Sequence, residues 1–527
     1  MLRLTAALFT LLALGACETQ SVKILAINDV YRIEGVDAGS NGGLARVRTV
    51  RRQLSQNNPS LIVTLAGDFL YPSLLSRRYN GQQMIDVLNL LDGKDGFDPT
   101  LIVTFGNHEF DKSRMKDAWK LSDRMKESEF TWLGSNIEFV PAIEGRAFPD
   151  RDHLKTSTIL VADGLKIGFF SITTRNKHPD YVEAFLDYED TARIYSKKLR
   201  DAGANIVIGL THLSEAEDVS ILNTLGADGP DLIIGGHEHN RLSHWSTDRK
   251  RVVIKADAEA RTATLISVSL TAFKRIKTSF EYITLDSSVR EDDLVRQRTE
   301  AWIKKHETDF CASVNNLDKC LSSPLVKTDV ELVGEELEIR RFETNLGNWI
   351  LDAAKEVYKE EGAQVALMNS GGLRLNQNIL AGQSVTRRHI EELIAYPSTL
   401  HLIEVDGSVL KAMLNHAVED WTGNGWFLQV SGIRFNHDSD NQHVSDVTLT
   451  DGTIIEDSMR MKIVVNDFLI NTRFGQDGYT MIGPDNLISD RKVDLRTLIL
   501  DQFKRQDSIS PATDGRICNV SERADRC

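Results

Sequence analysis

The chain has 527 residues, of which 41% are hydrophobic and 26% charged, and it carries a net charge of −14. That length exceeds one ordinary domain, and the composition is that of a folded water-soluble protein. The acidic balance excludes general affinity for nucleic acid, since no Lys/Arg excess offsets phosphate repulsion. It leaves small phosphorylated molecules open, because bound cations reverse the local field.

The chain opens with Met1-Leu2-Arg3, an apolar run from Leu4 to Leu14, and Gly15-Ala16-Cys17. A basic start, a short apolar core and small residues before a cut read as a secretory signal, and the run is too short for a stable transmembrane helix. Leu14-Gly15-Ala16-Cys17 resembles a bacterial lipobox, which makes residues 1–17 a lipoprotein signal and Cys17 a lipidated mature N-terminus. A plain signal peptide cut nearby is the alternative. Glu18 at the next position is compatible with outer-membrane sorting. The expected location is the bacterial periplasm or outer membrane, with a lipid anchor as the membrane contact. Beyond Cys17 there are four cysteines in two close pairs, Cys311/Cys320 and Cys518/Cys527. Export permits both pairs to oxidise, although bridging between the two regions stays open.

Apolar runs at residues 22–27, 61–66, 101–105, 166–172, 206–210, 232–234 and 251–256 alternate with helix-like stretches at 43–54, 113–127 and 191–202. This alternation predicts an α/β layered domain over residues 22–285. Residues 290–338 are polar and contain an exposed helix at 295–306, which reads as a bridge. A second α/β unit follows over residues 339–520, with a helix at 345–360 and strands at 363–368, 400–405 and 461–465.

Five motifs close the strand-like runs: Asn28-Asp29, Gly67-Asp68, Gly106-Asn107-His108-Glu109, Thr211-His212 and Gly235-Gly236-His237-Glu238-His239. Open α/β sheets place ligands at the carboxyl ends of strands. A Gly-Asp turn or a lone His is commonly structural. In this order, however, the five supply two carboxylates, an amide and several imidazoles, a donor set that suits two divalent cations. Paired cations are a device for hydrolysing phosphate esters.

With these blocks the chain resembles the calcineurin-like metallophosphoesterases and, with its second unit, the bacterial 5′-nucleotidase and UDP-sugar hydrolase family. The resemblance implies an N-terminal metallophosphoesterase sandwich, a C-terminal α/β substrate domain and two divalent metal ions, zinc, manganese or iron. It implies that Asp68 bridges the metals, that Asp29 and His239 bind one, and that Asn107, His212 and His237 bind the other. It makes His108 the residue that contacts phosphate and Asp111 the residue that orients His108. A carboxylate three positions after a histidine can hold its tautomer.

The first block departs from the family. Asp-x-His is expected, and the chain has Asp29-Val30-Tyr31. One metal loses an imidazole, so Tyr31, water or single-metal binding has to fill the gap. Gly67-Asp68-Phe69-Leu70-Tyr71 resembles the block of purple acid phosphatases in which Tyr binds ferric iron. Packing is the bland alternative for both tyrosines.

In the second unit the resemblance assigns substrate contacts to Arg340, Asn369 and Arg374, whose side chains suit anions. It assigns base stacking to Phe427 and Phe468, with Phe474 as a rival for the second ring, and ribose binding to Asp477. Core packing is the ordinary role of any one Phe. The implied function is an exported phosphohydrolase releasing phosphate from nucleoside 5′-monophosphates. Hydrolysis of UDP-sugars or cyclic nucleotides, and nucleotide binding by a surface lipoprotein without turnover, are the alternatives.

Overall fold

The computed structural model describes residues 20–150, 152–271, 273–314, 320–419, 421, 423–471 and 476–527. Cys17 and Phe474 lie outside the described residues.

The apolar runs form strands buried on both faces. In Gln20–Ile27, Val22, Ile24 and Ala26 point into a core between two sheets, while Leu25 and Ile27 point into a core beneath helices. A strand covered on both sides needs a nearly continuous apolar sequence, which explains why the runs do not alternate with polar residues. One sheet runs Ile276–Thr284, Thr262–Leu270, Gln20–Ile27, Ile62–Ala66, Leu101–Thr104, Thr131–Leu133, Leu154–Lys155. The other runs Leu242–Trp245, Val252–Lys255, Leu232–Gly235, Ile206–His212, Leu165–Thr173, Ser157–Ala162. Ile167, Phe169, Ile208 and Ile234 of the second sheet face Val22, Ile24 and Ile62 of the first. The central neighbours within each sheet are parallel. The five motifs therefore gather at one edge of the sandwich, the carboxyl edge.

The second unit is built on a five-stranded mixed sheet: Leu428–Ser431, Val365–Asn369, Arg460–Asn466, Thr399–Asp406, Val493–Asp494. Alternate residues of Val365–Asn369 enter different cores: Ala366 and Met368 one, Val365 and Leu367 the other. Helices Asn345–Glu356 and Leu495–Phe503 cover the first face, and Gly407–Val418 covers the second.

The segment expected to be an exposed bridge is more deeply engaged. Its helix, Asp293–Val314, buries Val295, Thr299 and His306. Val295 lies in the first unit's core, with Trp302 packed against it. Residues Pro324–Thr328 form a strand paired with Ser384–Thr386 of the second unit. Disulfides join Cys311 to Cys320 and Cys518 to Cys527, with Cα separations of 4.8 and 5.0 Å. Among the described residues no helix is long and apolar enough to cross a membrane.

Candidate metal and substrate site

Asp29 and Asp68 each follow a parallel strand, and each takes a left-handed backbone, φ 52° and 54°. Such a conformation is uncommon outside Gly, Asn and Asp, and it turns the chain sharply so that the carboxylate points back across the strand ends. Gly67 makes the approach possible. A Cβ there would stand 2.6 Å from Gly106 N and 2.7 Å from His212 Nδ1. Glu109 holds the Asp68 loop by accepting from the backbone N–H groups of Asp68, Phe69, Leu70 and Gly106. Glu259 does the same for the first loop, taking the N–H groups of Tyr31 and Arg32.

The structure brings the six expected ligands to this edge. Ligand atoms of Asp29, Asp68 and His239 all lie within 4.8 Å of one another. His212 Nε2 stands 3.2 Å from Asp68 Oδ2, and His239 Nε2 stands 3.4 Å from Asp29 Oδ1. The His212 and His237 rings meet edge-on at 5.1 Å, and Asn107 is buried. Asp29 Oδ1, Asn107 Oδ1 and His212 Nε2 are buried atoms with no hydrogen-bond partner. Buried polar atoms are rarely left unpaired. Three such atoms among clustered carboxylates and imidazoles fit a pair of cations.

The electrostatics agree. Burial opposes charging, yet Asp68 and Asp29 raise His212 to about 9. For His239, burial is likewise outweighed, here by Glu336 and Asp29, which raise it to about 10. Protons thus stand where cations would neutralise the carboxylates. Burial and the neighbouring His212 push His237 down to about 3, leaving its imidazole neutral as a ligand must be.

His108 sits at the mouth. Its Nδ1 is 3.0 Å from Asp111 Oδ2, its Nε2 is 4.0 Å from Asp68 Oδ2, and its backbone N–H donates to Asp68 Oδ1 at 2.7 Å. Asp111 is largely enclosed, its side chain 11% exposed, which favours protonation, but His108 and Lys177 prevail and hold it at about 2. Tyr31 enters the ligand cluster: its hydroxyl is 3.1 Å from Asp68 Oδ2 and 2.8 Å from His239 Nε2. Tyr71 lies apart in the first core with Lys112 over its ring, and makes no hydrogen bond to these ligands among the described residues.

The second unit closes over the mouth. Arg340 pairs with Glu336 at 2.5 Å, and Arg374 NH1 lies 4.0 Å from the same oxygen of Glu336. Asn369 donates to Asp477 at 3.1 Å and accepts from Asn466 at 3.0 Å. Tyr31 and Arg374 line a common cavity, so both units face one space. Phe468 is half-buried, packed against the edge of the same unit's core. Phe427 is different. It is 1% exposed, packed in the second unit's core and edge-on to His437. A ring enclosed in this way offers no face to a base, and the stacking role expected of it is corrected on that ground.

Two residues absent from the sequence reading stand in the site. Glu336 joins His239 to Arg340, and its i, i+4 spacing to Arg340 was the available signal. Tyr396, the aromatic residue of Ala395-Tyr396-Pro397, donates to Asp111 Oδ2 at 3.1 Å from an exposed position. Nothing periodic marks it.

Comparison with known proteins follows the two units. The calcineurin-like phosphoesterase family matches residues 22–241, and the 5′-nucleotidase C-terminal domain matches residues 325–484. The trifunctional nucleotide phosphoesterase protein YfkN of Bacillus subtilis is 24% identical across 90% of this chain, which spans only 34% of that relative's length. Rat 5′-nucleotidase is 25% identical across 97% of this chain and 94% of its own. The crystal structure of a 5′-nucleotidase precursor from Thermus thermophilus shares the fold, with a TM-score of 0.74 at 22% identity over 95% of this chain and 100% of that one. The two family models take the two units in chain order: the chain belongs to the calcineurin-like metallophosphoesterases that carry a 5′-nucleotidase C-terminal domain, a superfamily of phosphoric-ester hydrolases with a binuclear divalent metal centre.

Proposed function

We propose that the chain is an exported metal-dependent phosphohydrolase that releases phosphate from nucleoside 5′-monophosphates. The observation that carries this reading is the joining of two donor sets through Glu336, which stands 2.8 Å from His239 of the Asp29, Asp68 and His239 cluster and also faces Arg340 and Arg374 of the second unit. Asp29, Asp68, Asn107, His212, His237 and His239 would hold two divalent cations; zinc, manganese and iron all accept such donors. The cations would supply Lewis acidity at the phosphoryl oxygens and acidify the attacking water.

The remaining work falls to the protein's own groups. Arg340 and Arg374 present guanidinium forks that match phosphate oxygens. His108 is poised to donate through Nε2 to developing charge on a phosphoryl oxygen, while Asp111 holds Nδ1. The Asp477 carboxylate, steadied by Asn369, offers acceptors to ribose hydroxyls. Phe468, only partly buried, would stack on the base.

Export rests on the signal-like start with Cys17 and on two disulfides, which persist in oxidising compartments. A second reading, nucleotide binding without turnover, is favoured by one observation: the Tyr31 hydroxyl lies where it bonds two metal ligands. A substrate panel separates the readings. Phosphate release from 5′-monophosphates, exceeding that from UDP-glucose or a cyclic nucleotide, supports the proposal. Nucleotide binding with no product in any metal supports the second reading.

A further inference from the structure

Glu336 is 5% exposed and stands at the junction of the two units. Its two oxygens are spent differently. Oε2 is 2.8 Å from Nδ1 of His239, an expected metal ligand of the sandwich. Oε1 is 2.5 Å from NH2 of Arg340, an anion-binding group of the second unit. An ion pair with Arg340 needs one oxygen only. The second oxygen reaches across the junction to the face of His239 opposite the ligand cluster, where Nε2 lies 3.4 Å from Asp29 Oδ1.

We propose that Glu336 is a positioning residue shared by both halves of the site, fixing His239 for the cation with one oxygen and occupying Arg340 in place of an anion with the other. The Oε2 charge held beside Nδ1 favours the proton on that nitrogen, which leaves the Nε2 lone pair on the Asp29 side, the tautomer a cation requires. Because Glu336 belongs to the chain that enters the second unit, retention of the cation at the Asp29/His239 position depends on that unit being seated. Arg340 is meanwhile kept paired and buried, and an incoming phosphate oxygen has to compete with a tethered carboxylate for it. Metal retention and anion entry are thereby linked through one side chain. This inference rests on the two-cation, anion-binding reading above, yet it does not require turnover.

The test uses the whole chain with Glu336→Gln and Glu336→Asp, Glu336→Asp keeping the charge if Glu336→Gln folds poorly. Manganese or cobalt alone is titrated calorimetrically into metal-free protein. Inorganic phosphate is titrated separately. The expected result is a loss of about 10–100-fold in one metal-binding step with the other unchanged, the size associated with an outer carboxylate partner of a ligand histidine. Phosphate should bind Glu336→Gln severalfold more tightly than wild type, and this gain should vanish when Arg340→Ala is added. Unchanged metal steps, or equal weakening of both together with a lowered melting temperature, would overturn the inference and leave Glu336 a structural ion pair. Wild-type phosphate release from nucleotides is measured alongside, so failure of the functional reading shows up independently.

Discussion

The hydroxyl of Tyr31 stands 2.8 Å from Nε2 of His239. This is the nitrogen that faces the Asp29 carboxylate, so the phenol stands among the proposed metal ligands. Burial, then Asp68 and Asp29, raise the phenol well above its usual range, so it stays neutral until a cation competes for its proton. An oxygen donor in place of a nitrogen favours manganese, or ferric iron if a phenolate binds.

Tyr31→His should therefore tighten zinc at one of the two positions by about tenfold or more, since even an outer partner of a ligand commands that much. Zinc titration with activity followed in parallel checks it. Equal zinc affinity in wild type and variant would show that another group already completes the shell. A charge-transfer band with iron, lost in Tyr31→Phe and kept in Tyr71→Phe, is also expected, because only Tyr31 touches the ligands.

His108→Ala should lower turnover on the order of 10²–10³-fold, the effect of removing one transition-state charge stabiliser, with metal content and fold retained. Asp111 is held at about 2, so its contribution is complete above the ordinary carboxyl value of 3.8 and lost only as pH falls toward 2. Asp111 should accordingly leave no limb in the pH–rate profile between about pH 5 and 8. A limb in that window that disappears in Asp111→Asn would contradict the geometry.

Phe427→Ala and Phe468→Ala should part company. Phe427 is a core ring, and its truncation should destabilise the protein by about 3–5 kcal/mol while shifting KM equally for nucleotides and a small aryl phosphate. Phe468→Ala should raise KM for nucleotides about ten- to hundredfold over the aryl phosphate, as loss of roughly 1–3 kcal/mol of stacking requires. Urea unfolding and the two KM values decide the matter. A nucleotide-selective KM rise in Phe427→Ala at unchanged stability would reverse the assignment.

Burial pushes the Glu259 carboxyl up to about 7 in spite of Arg32, against 4.5 when free. Between those values the folded chain binds more protons than the unfolded one. This contribution is complete below pH 4.5 and is lost as pH rises through 7. Glu259→Gln, which keeps an acceptor for the Tyr31 and Arg32 N–H groups, should be more stable than wild type at about pH 8 by up to a few kcal/mol, at about 1.4 kcal/mol per unit. The difference should shrink at about pH 5. Parallel stability curves for the two proteins would remove Glu259 as the source.

Much of the site was legible because its residues sit where strands end. A strand leaving a two-sided core must turn at once, and the Gly-Asp and Gly-His-Glu-His motifs mark those turns in the sequence itself. What escaped reading was long-range or one-sided. Glu336 meets His239 only after the second unit folds back, and Tyr396 is an isolated aromatic beside a proline. Phe427 resembled a recognition ring but opens the strand Leu428–Ser431, all of whose residues are buried, so its neighbours on the sheet decided its role. The helix Asp293–Val314 looked exposed because its composition is polar. Val295, Thr299 and His306 lie on the side it buries.

The most direct measurement is phosphate release from a nucleoside 5′-monophosphate by the purified chain, first chelated and then given manganese, zinc or iron. The account predicts no release after chelation, restoration by at least one of these metals, and no restoration in His108→Ala carrying the same metal content. Release that persists without metal, or its absence in every metal-loaded form while nucleotide still binds, would contradict it.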